Sequence, residues 1–109
     1  MVTQTEALKG YKIIRFMQDI GSNADISDIL DTIKKEMESG KKRIALSFTK
    51  NSYLSSRSIS VLIQCSEMIV EAGGDFAVIS PNPDMLEVLA EMGLECKVKV
   101  YKSEDLIGL

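Results

Sequence analysis

Three serines flanking an arginine, within Tyr53-Leu54-Ser55-Ser56-Arg57-Ser58-Ile59-Ser60, are the residues of this 109-residue chain with the clearest chemical potential. They follow the apolar run Ile44–Phe48 and precede a long helical periodicity, so the hydroxyls fall at the start of a helix. There the first backbone N–H groups lack intrahelical partners and the helix dipole favours negative charge. A phosphate on one of these serines would be stabilised, which makes the cluster a candidate phospho-switch. Ser is also the ordinary N-cap residue, and on local sequence alone capping is the stronger reading of the cluster. The switch is the alternative that the same hydroxyls leave open.

Little else in the chain suggests catalysis. The absence of His removes the commonest general base and the Ser-His and Cys-His nucleophile arrangements. Cys65 and Cys96 are too few for a disulfide framework or a metal site and read as buried thiols. No Gly-rich phosphate loop is present, and the carboxylates lie mostly at helix starts or on polar faces. Asp19, Asp75 and Glu95 read as loose solvated acids. The expectation is a protein that is not an enzyme and holds neither cofactor nor metal.

A net charge of −3 without a long basic run argues against nucleic acid or an anionic membrane as principal partner. Lys41-Lys42-Arg43 reads as a solvated lead-in to a strand. No segment approaches the ~20 apolar residues of a membrane span, and the first residues lack a signal-peptide core, so the expected location is cytoplasmic. Length, with 45% hydrophobic and 27% charged residues, fits one domain over 1–109, with 1–9 as an added strand or flexible lead-in.

The elements that position the cluster follow from periodicity. Tyr11–Phe16, Lys41–Phe48, Phe76–Ile79 and Val98–Tyr101 read as strands, with a weaker one near Thr3–Leu8. Between them, 25–38 is a helix presenting Ile26, Ile29, Leu30, Ile33 and Met37, with Asp25 and Asp28 in its first turn and Gly40 beyond its end. A second helix starts at Asn82-Pro83, presents Met85, Leu86, Leu89 and Met92, and stops at Gly93. Ser103 is placed to cap a short final helix. Alternating strands and helices imply the α/β class, with parallel strands joined by right-handed crossovers.

The helix after the serines, 58–72, has an unusually wide apolar arc. Ile59, Leu62, Ile63, Ile69 and Val70 occupy one part, and Val61, Cys65, Met68 and Ala72 the adjoining part. Together they span roughly 220°, against the ~100° stripe of a one-sided surface helix. Such a helix is either wedged between the sheet and another helix or presents Val61, Cys65 and Met68 to a partner. Ser60, Gln64, Glu67 and Glu71 form its polar face.

Taken in order, the apolar strand Ile44–Phe48, the pair Tyr53-Leu54, the tetrad Ser55-Ser56-Arg57-Ser58, the helix closing at Gly73-Gly74, the strand Phe76–Ile79, Pro81-Asn82-Pro83 and Gly93-Leu94 resemble the STAS domain of bacterial anti-sigma-factor antagonists. The resemblance covers roughly residues 10–107. It implies one STAS-like domain with a mixed four- to five-stranded sheet and three to four helices. It also implies a regulator that sequesters an anti-sigma factor, itself a serine kinase, and is switched off by serine phosphorylation, with a phosphatase as a further candidate partner. The family's phosphorylated serine falls on Ser56, with Ser55 and Ser58 next in order. Partner contacts would come from Tyr53, Ser55, Ser56, Arg57, Ser60, Val61, Gln64, Cys65, Met68 and Asn82, with Asp19–Asn23 near the same edge.

Tyr53 reads primarily as a packing residue. The tetrad departs from the family pattern: Ser55 replaces an acid, Arg57 a small hydroxyl residue and Ser58 a glycine. Arg57 would either pair with a phosphate or obstruct a close-approaching partner. The departures also leave room for a constitutive STAS scaffold, without a switch, in a larger regulatory or membrane-associated assembly.

Overall fold

The computed structural model describes residues 3–21, 24–91 and 98–107. Five strands form one sheet in the order β1 (Thr3–Leu8), β2 (Tyr11–Phe16), β3 (Arg43–Ser47), β4 (Asp75–Ile79), β5 (Lys99–Tyr101). β1 and β2 pair antiparallel through a hairpin whose turn, Lys9-Gly10, has φ of 51° and 86°, the left-handed pair that a two-residue hairpin requires. The remaining neighbours are parallel, linked by helices α1 (Asp28–Glu38), α2 (Ser56–Glu71) and α3 (Pro83–Glu91). Each crossover advances to the next strand in the same direction, so right-handed connections place all three helices on one face. The main core lies there: Ile14, Phe16, Leu46 and Val78 of the sheet meet Ile29 and Ile33 of α1, Leu62 and Ile69 of α2, and Leu89 of α3.

Sequence punctuation explains the helix ends. In both α1 and α2 the residue after the C-cap is glycine at positive φ, 92° at Gly40 and 78° at Gly73. Each end closes with a pair of bonds, Lys41 N–H to Glu36 O and Gly40 N–H to Met37 O, then Gly74 N–H to Ile69 O and Gly73 N–H to Val70 O. This is the Schellman closure, which satisfies otherwise orphaned carbonyls. The α1 start differs from expectation. Asp25 accepts the Ser27 N–H in a local turn, which delays the helix to Asp28 and leaves Asp28 and Asp31 in its first turn. At α3, Asn82 caps by accepting the Asp84 N–H, and Pro83 takes the first helical position. The predicted stop at Gly93, the Gly93-Leu94 turn, Met92, Glu95 and Cys96 lie outside the described residues.

The sheet face without helices carries a second apolar cluster, Tyr11, Ile13, Ala45, Ala77 and Ile79, closed by Ile107. The predicted final helix is instead a single 3-10 turn, Glu104–Leu106, and Ser103 makes no side-chain cap bond. Glu104 docks this segment on the sheet: its carboxylate receives Arg15 Nε at 2.7 Å and Nη2 at 2.5 Å, and the Ser47 hydroxyl. Glu6 of β1 also pairs with Arg15.

The bonds from Arg15, mainly, hold Glu104 below its ordinary value near 4.5. A depressed folded-state value means that the pair contributes stability above the unfolded-state value and loses it as pH falls through the folded one. Glu104→Gln is therefore expected to cost about 1 kcal/mol at neutral pH, with the difference from the parent protein vanishing at increasingly acid pH. Urea melts at several pH values read this directly.

Candidate functional site

The parallel strands β2, β3 and β4 all end at the same edge of the sheet, and the loops leaving them are bound to one another. The hub is Ser52, buried between β3 and α2. Its Oγ accepts the Ile20 N–H at 3.0 Å and lies 2.6 Å from Thr49 Oγ1. Thr49 has one hydroxyl proton and donates it to Asp19 Oδ1 at 2.6 Å, so the proton between Thr49 and Ser52 belongs to Ser52. The chain therefore runs Ser52 to Thr49 to the Asp19 carboxylate. From the third loop, Asn82 Nδ2 donates to the Ser52 carbonyl at 2.8 Å, and Tyr53 N–H donates to Ile20 O at 2.7 Å. Beneath the loops, the Phe16 and Phe48 rings stack obliquely with centroids 4.7 Å apart.

This network places the serine cluster. Ser55 is the N-cap of α2, in extended backbone, and its Oγ accepts the Ser58 N–H at 3.1 Å. Its hydroxyl also reaches Ser58 Oγ at 3.2 Å, and Ser58 is fully buried. Ser56 is the first residue of α2, is exposed, and its hydroxyl bonds no other described residue. Capping and exposure are thus divided between two neighbouring serines. Ser58, the third candidate for modification, is inaccessible in the folded chain.

Along α2, Ser56, Arg57, Ser60 and Gln64 form one exposed polar stripe continuing into Glu67 and Glu71. Asp25 is held below the usual carboxylate range, chiefly by the Ser27 backbone N–H and side chain, with Arg57's positive charge adding to the effect. Arg57 therefore lies within electrostatic reach of the α1 entrance.

Several expected site residues fall elsewhere. Val61 and Cys65 are buried, covered because α2 lies against both β4 and α1, and neither offers surface to a partner. Burial pushes the Cys65 thiol up to about 12, so it remains protonated and unreactive. Met68 is half-buried and borders a groove between α1 and α2 with Leu30, Lys34 and Gln64. Val70, assigned to the packed arc, is 51% exposed. Tyr53, expected to pack, is 52% exposed beside the cluster. Asn82 is buried and acts through the loops it ties together.

Two acids read as unpartnered are engaged, Asp19 by Thr49 and Asp75 by Arg43 at 3.4 Å. Ser22 and Asn23 of the neighbouring segment lie outside the described residues. Among the described residues no cluster of three or more His, Cys, Asp or Glu could hold a metal, and no helix is long and apolar enough to cross a membrane.

Sequence reasoning missed Ser52 altogether. Its only local signal was the Thr49-to-Ser52 spacing of a turn, closed here by Ser52 N–H to Thr49 O. Ser52→Ala would leave the buried Ile20 N–H without its acceptor and break the path to Asp19. The expected loss is about 2 kcal/mol in chemical denaturation, with amide exchange accelerated first at Ile20 and Tyr53.

A family model for the STAS domain matches residues 4–107, and the chain belongs to that family. Among solved structures, it is similar to a Thermotoga maritima protein whose crystal structure describes it as a candidate anti-sigma factor antagonist. That pair has a TM-score of 0.72 and 21% identity, covering 94% of this chain and 88% of that one. It is also similar to the Bacillus cell-fate determinant SpoIIAA in its phosphorylated form, with a TM-score of 0.64 and 16% identity over 97% of this chain and 96% of that one. The unphosphorylated form of SpoIIAA, an anti-sigma factor antagonist, gives a TM-score of 0.66 and 14% identity, covering 95% and 91%. At these identities the likeness is one of fold. No curated protein sequence matches.

Proposed function

We propose that this protein is an anti-sigma-factor antagonist that binds an anti-sigma factor with serine-kinase activity and is switched off by phosphorylation of Ser56. Its work is partner exchange, without catalysis of its own. The observation that carries the reading is the division among the serines: Ser56 is exposed at the first position of α2, while Ser55 caps the helix and Ser58 is buried. The fold likeness to SpoIIAA, solved with and without phosphate, supports a structure that tolerates this modification.

The contact surface is the exposed stripe Ser56, Arg57, Ser60 and Gln64 with Tyr53 at its head and Met68 at its flank. An exposed aromatic beside a polar stripe suits an interface in which one anchor supplies much of the affinity.

The test is site-mapped mass spectrometry of the protein from its native cells, beside a Ser56→Ala form, with both used to capture partners. Phosphate at Ser56 that is lost in the variant, and a kinase retained by the unmodified protein, are the expected results. A partner held equally by modified and unmodified protein would instead establish a constitutive scaffold.

A further inference from the structure

The helix layer carries a groove that its own packing does not fill. Two adjoining hollows of about 260 and 270 Å³ lie between α1 and α2 and share Lys34, Met68 and Glu71. Leu30 and Met37 of α1 and Met68 of α2 supply the apolar lining, each packed on the main core yet only partly buried. Each hollow is smaller than the ~300–1,000 Å³ of ordinary small-molecule sites, so the pair suits successive side chains of a polypeptide better than one compact ligand.

The rim is charged, and mostly with one sign. Glu67 and Glu71 of α2 and Glu38 of α1 face the single ammonium of Lys34. Glu38 and Glu71 are the last residues of their helices, where the dipole already presents negative charge, and the last turn of α2 has no basic residue. Lys35, in the last turn of α1, does not line the groove. Glu67 and Glu71 are four apart on one helix and repel each other. Among the described residues the ion pairs are those of Arg15 with Glu6 and Glu104 and of Arg43 with Asp75, so none of the three rim carboxylates is directly paired. A cation laid along the rim would relieve all of these costs.

From this arrangement we infer that the groove docks a basic amphipathic helix of a partner protein. Apolar side chains three and four residues apart would fill the hollows, as in other helix-in-groove complexes, and flanking Lys or Arg would meet the three acids. Two of the three apolar lining residues are Met, which adapts its shape to an incoming side chain. The inference does not need the Ser56 switch: the groove starts beside Gln64 and extends to Glu38 and Glu71, at the helix ends away from Ser56.

The test is an amide NMR titration with a capped helical peptide of Leu and Lys, its leucines three and four apart, beside the same peptide with Glu for every Lys. Saturable shifts are expected at Leu30, Lys34, Met37 and Met68 with the Lys peptide alone, while Gly10 and Ser56 stay unmoved. Glu67→Gln with Glu71→Gln should weaken binding about tenfold. Glu87→Gln with Glu91→Gln removes the same charge from α3, on the far side of α2, and should change it less than about twofold. Met68→Gln keeps the length but not the apolar surface, and should weaken binding about fivefold.

Shifts that rise without saturating, equal response to the Lys and Glu peptides, equal weakening in the two double variants, or shifts centred on Ser56 or Gly10 would each overturn the inference. So would shifts at the groove that grow with protein concentration in the absence of peptide, since they would make its occupant a second copy of this chain.

Discussion

Phosphate on Ser56 is expected to weaken partner capture by about a hundredfold or more while leaving the fold and its melting temperature nearly unchanged. The modification adds about −1.5 to −2 charges at neutral pH. Seated in an interface, that charge loses its water, at a cost of several kcal/mol unless the partner supplies well-placed donors. About 3 kcal/mol surviving partial compensation corresponds to two decades of affinity.

Arg57 is poorly placed to cancel the charge from within the chain. Successive helical residues do not face one another, so Arg57 and a phosphate on Ser56 point to different sides of α2. The free protein meets little penalty, because the phosphate sits at the first position of α2, where dipole and unpaired N–H groups favour an anion. The cap belongs to Ser55 and stays in place. Titration calorimetry of modified and unmodified protein against the captured partner, with thermal melts of each, measures both halves. Loss of affinity accompanied by a melted first turn of α2 would locate the effect in the fold and refute an electrostatic switch.

The proposed switch site was only half legible in the sequence. The hydroxyl cluster and its place at a helix start followed from the apolar run before it and the periodicity after it. Which serine caps and which faces solvent did not, because three near-adjacent hydroxyls all satisfy the same local preference. The wide arc of α2 was read correctly as unusual, but a helical wheel does not say which neighbour covers which flank. Val61 and Cys65 are buried where α2 lies against β4 and α1, so the surface left beside Ser56 is the polar stripe and Tyr53. The loop network was invisible for a different reason. Asp19 and Thr49 are 30 residues apart, as are Ser52 and Asn82, and no local pattern encodes such pairings. Helix ends, by contrast, were plain wherever glycine or proline is demanded by the backbone itself, at Gly40, Gly73 and Pro83.

The same double glycine that marks the end of α2 conceals two different requirements, and substitution should separate them. Gly73 has φ of 78° with open space around it, so Gly73→Ala carries only the left-handed penalty of about 1–2 kcal/mol. At Gly74 the limit is space. A Cβ there would lie 2.1 Å from the Lys42 carbonyl oxygen and 3.0 Å from Ile69 Cγ2. The carbonyl cannot simply turn away, because it accepts the Asp75 N–H at 3.0 Å where β3 and β4 begin to pair. Relief requires moving the end of α2 away from the strand, which breaks the Gly74 N–H to Ile69 O closure and disturbs the buried Ile69. Gly74→Ala is therefore expected to cost about 3 kcal/mol or more, at the upper end of overpacking penalties. For a domain of this size that is a fall of about 12 °C or more in melting temperature, against about 4–8 °C for each kcal/mol at Gly73. Gly73→Asn, which tolerates the left-handed region, should recover part of the Gly73→Ala loss. If the two alanine variants melt together, steric contact with Lys42 is not what fixes Gly74, and the β3–β4 junction is softer than its geometry implies.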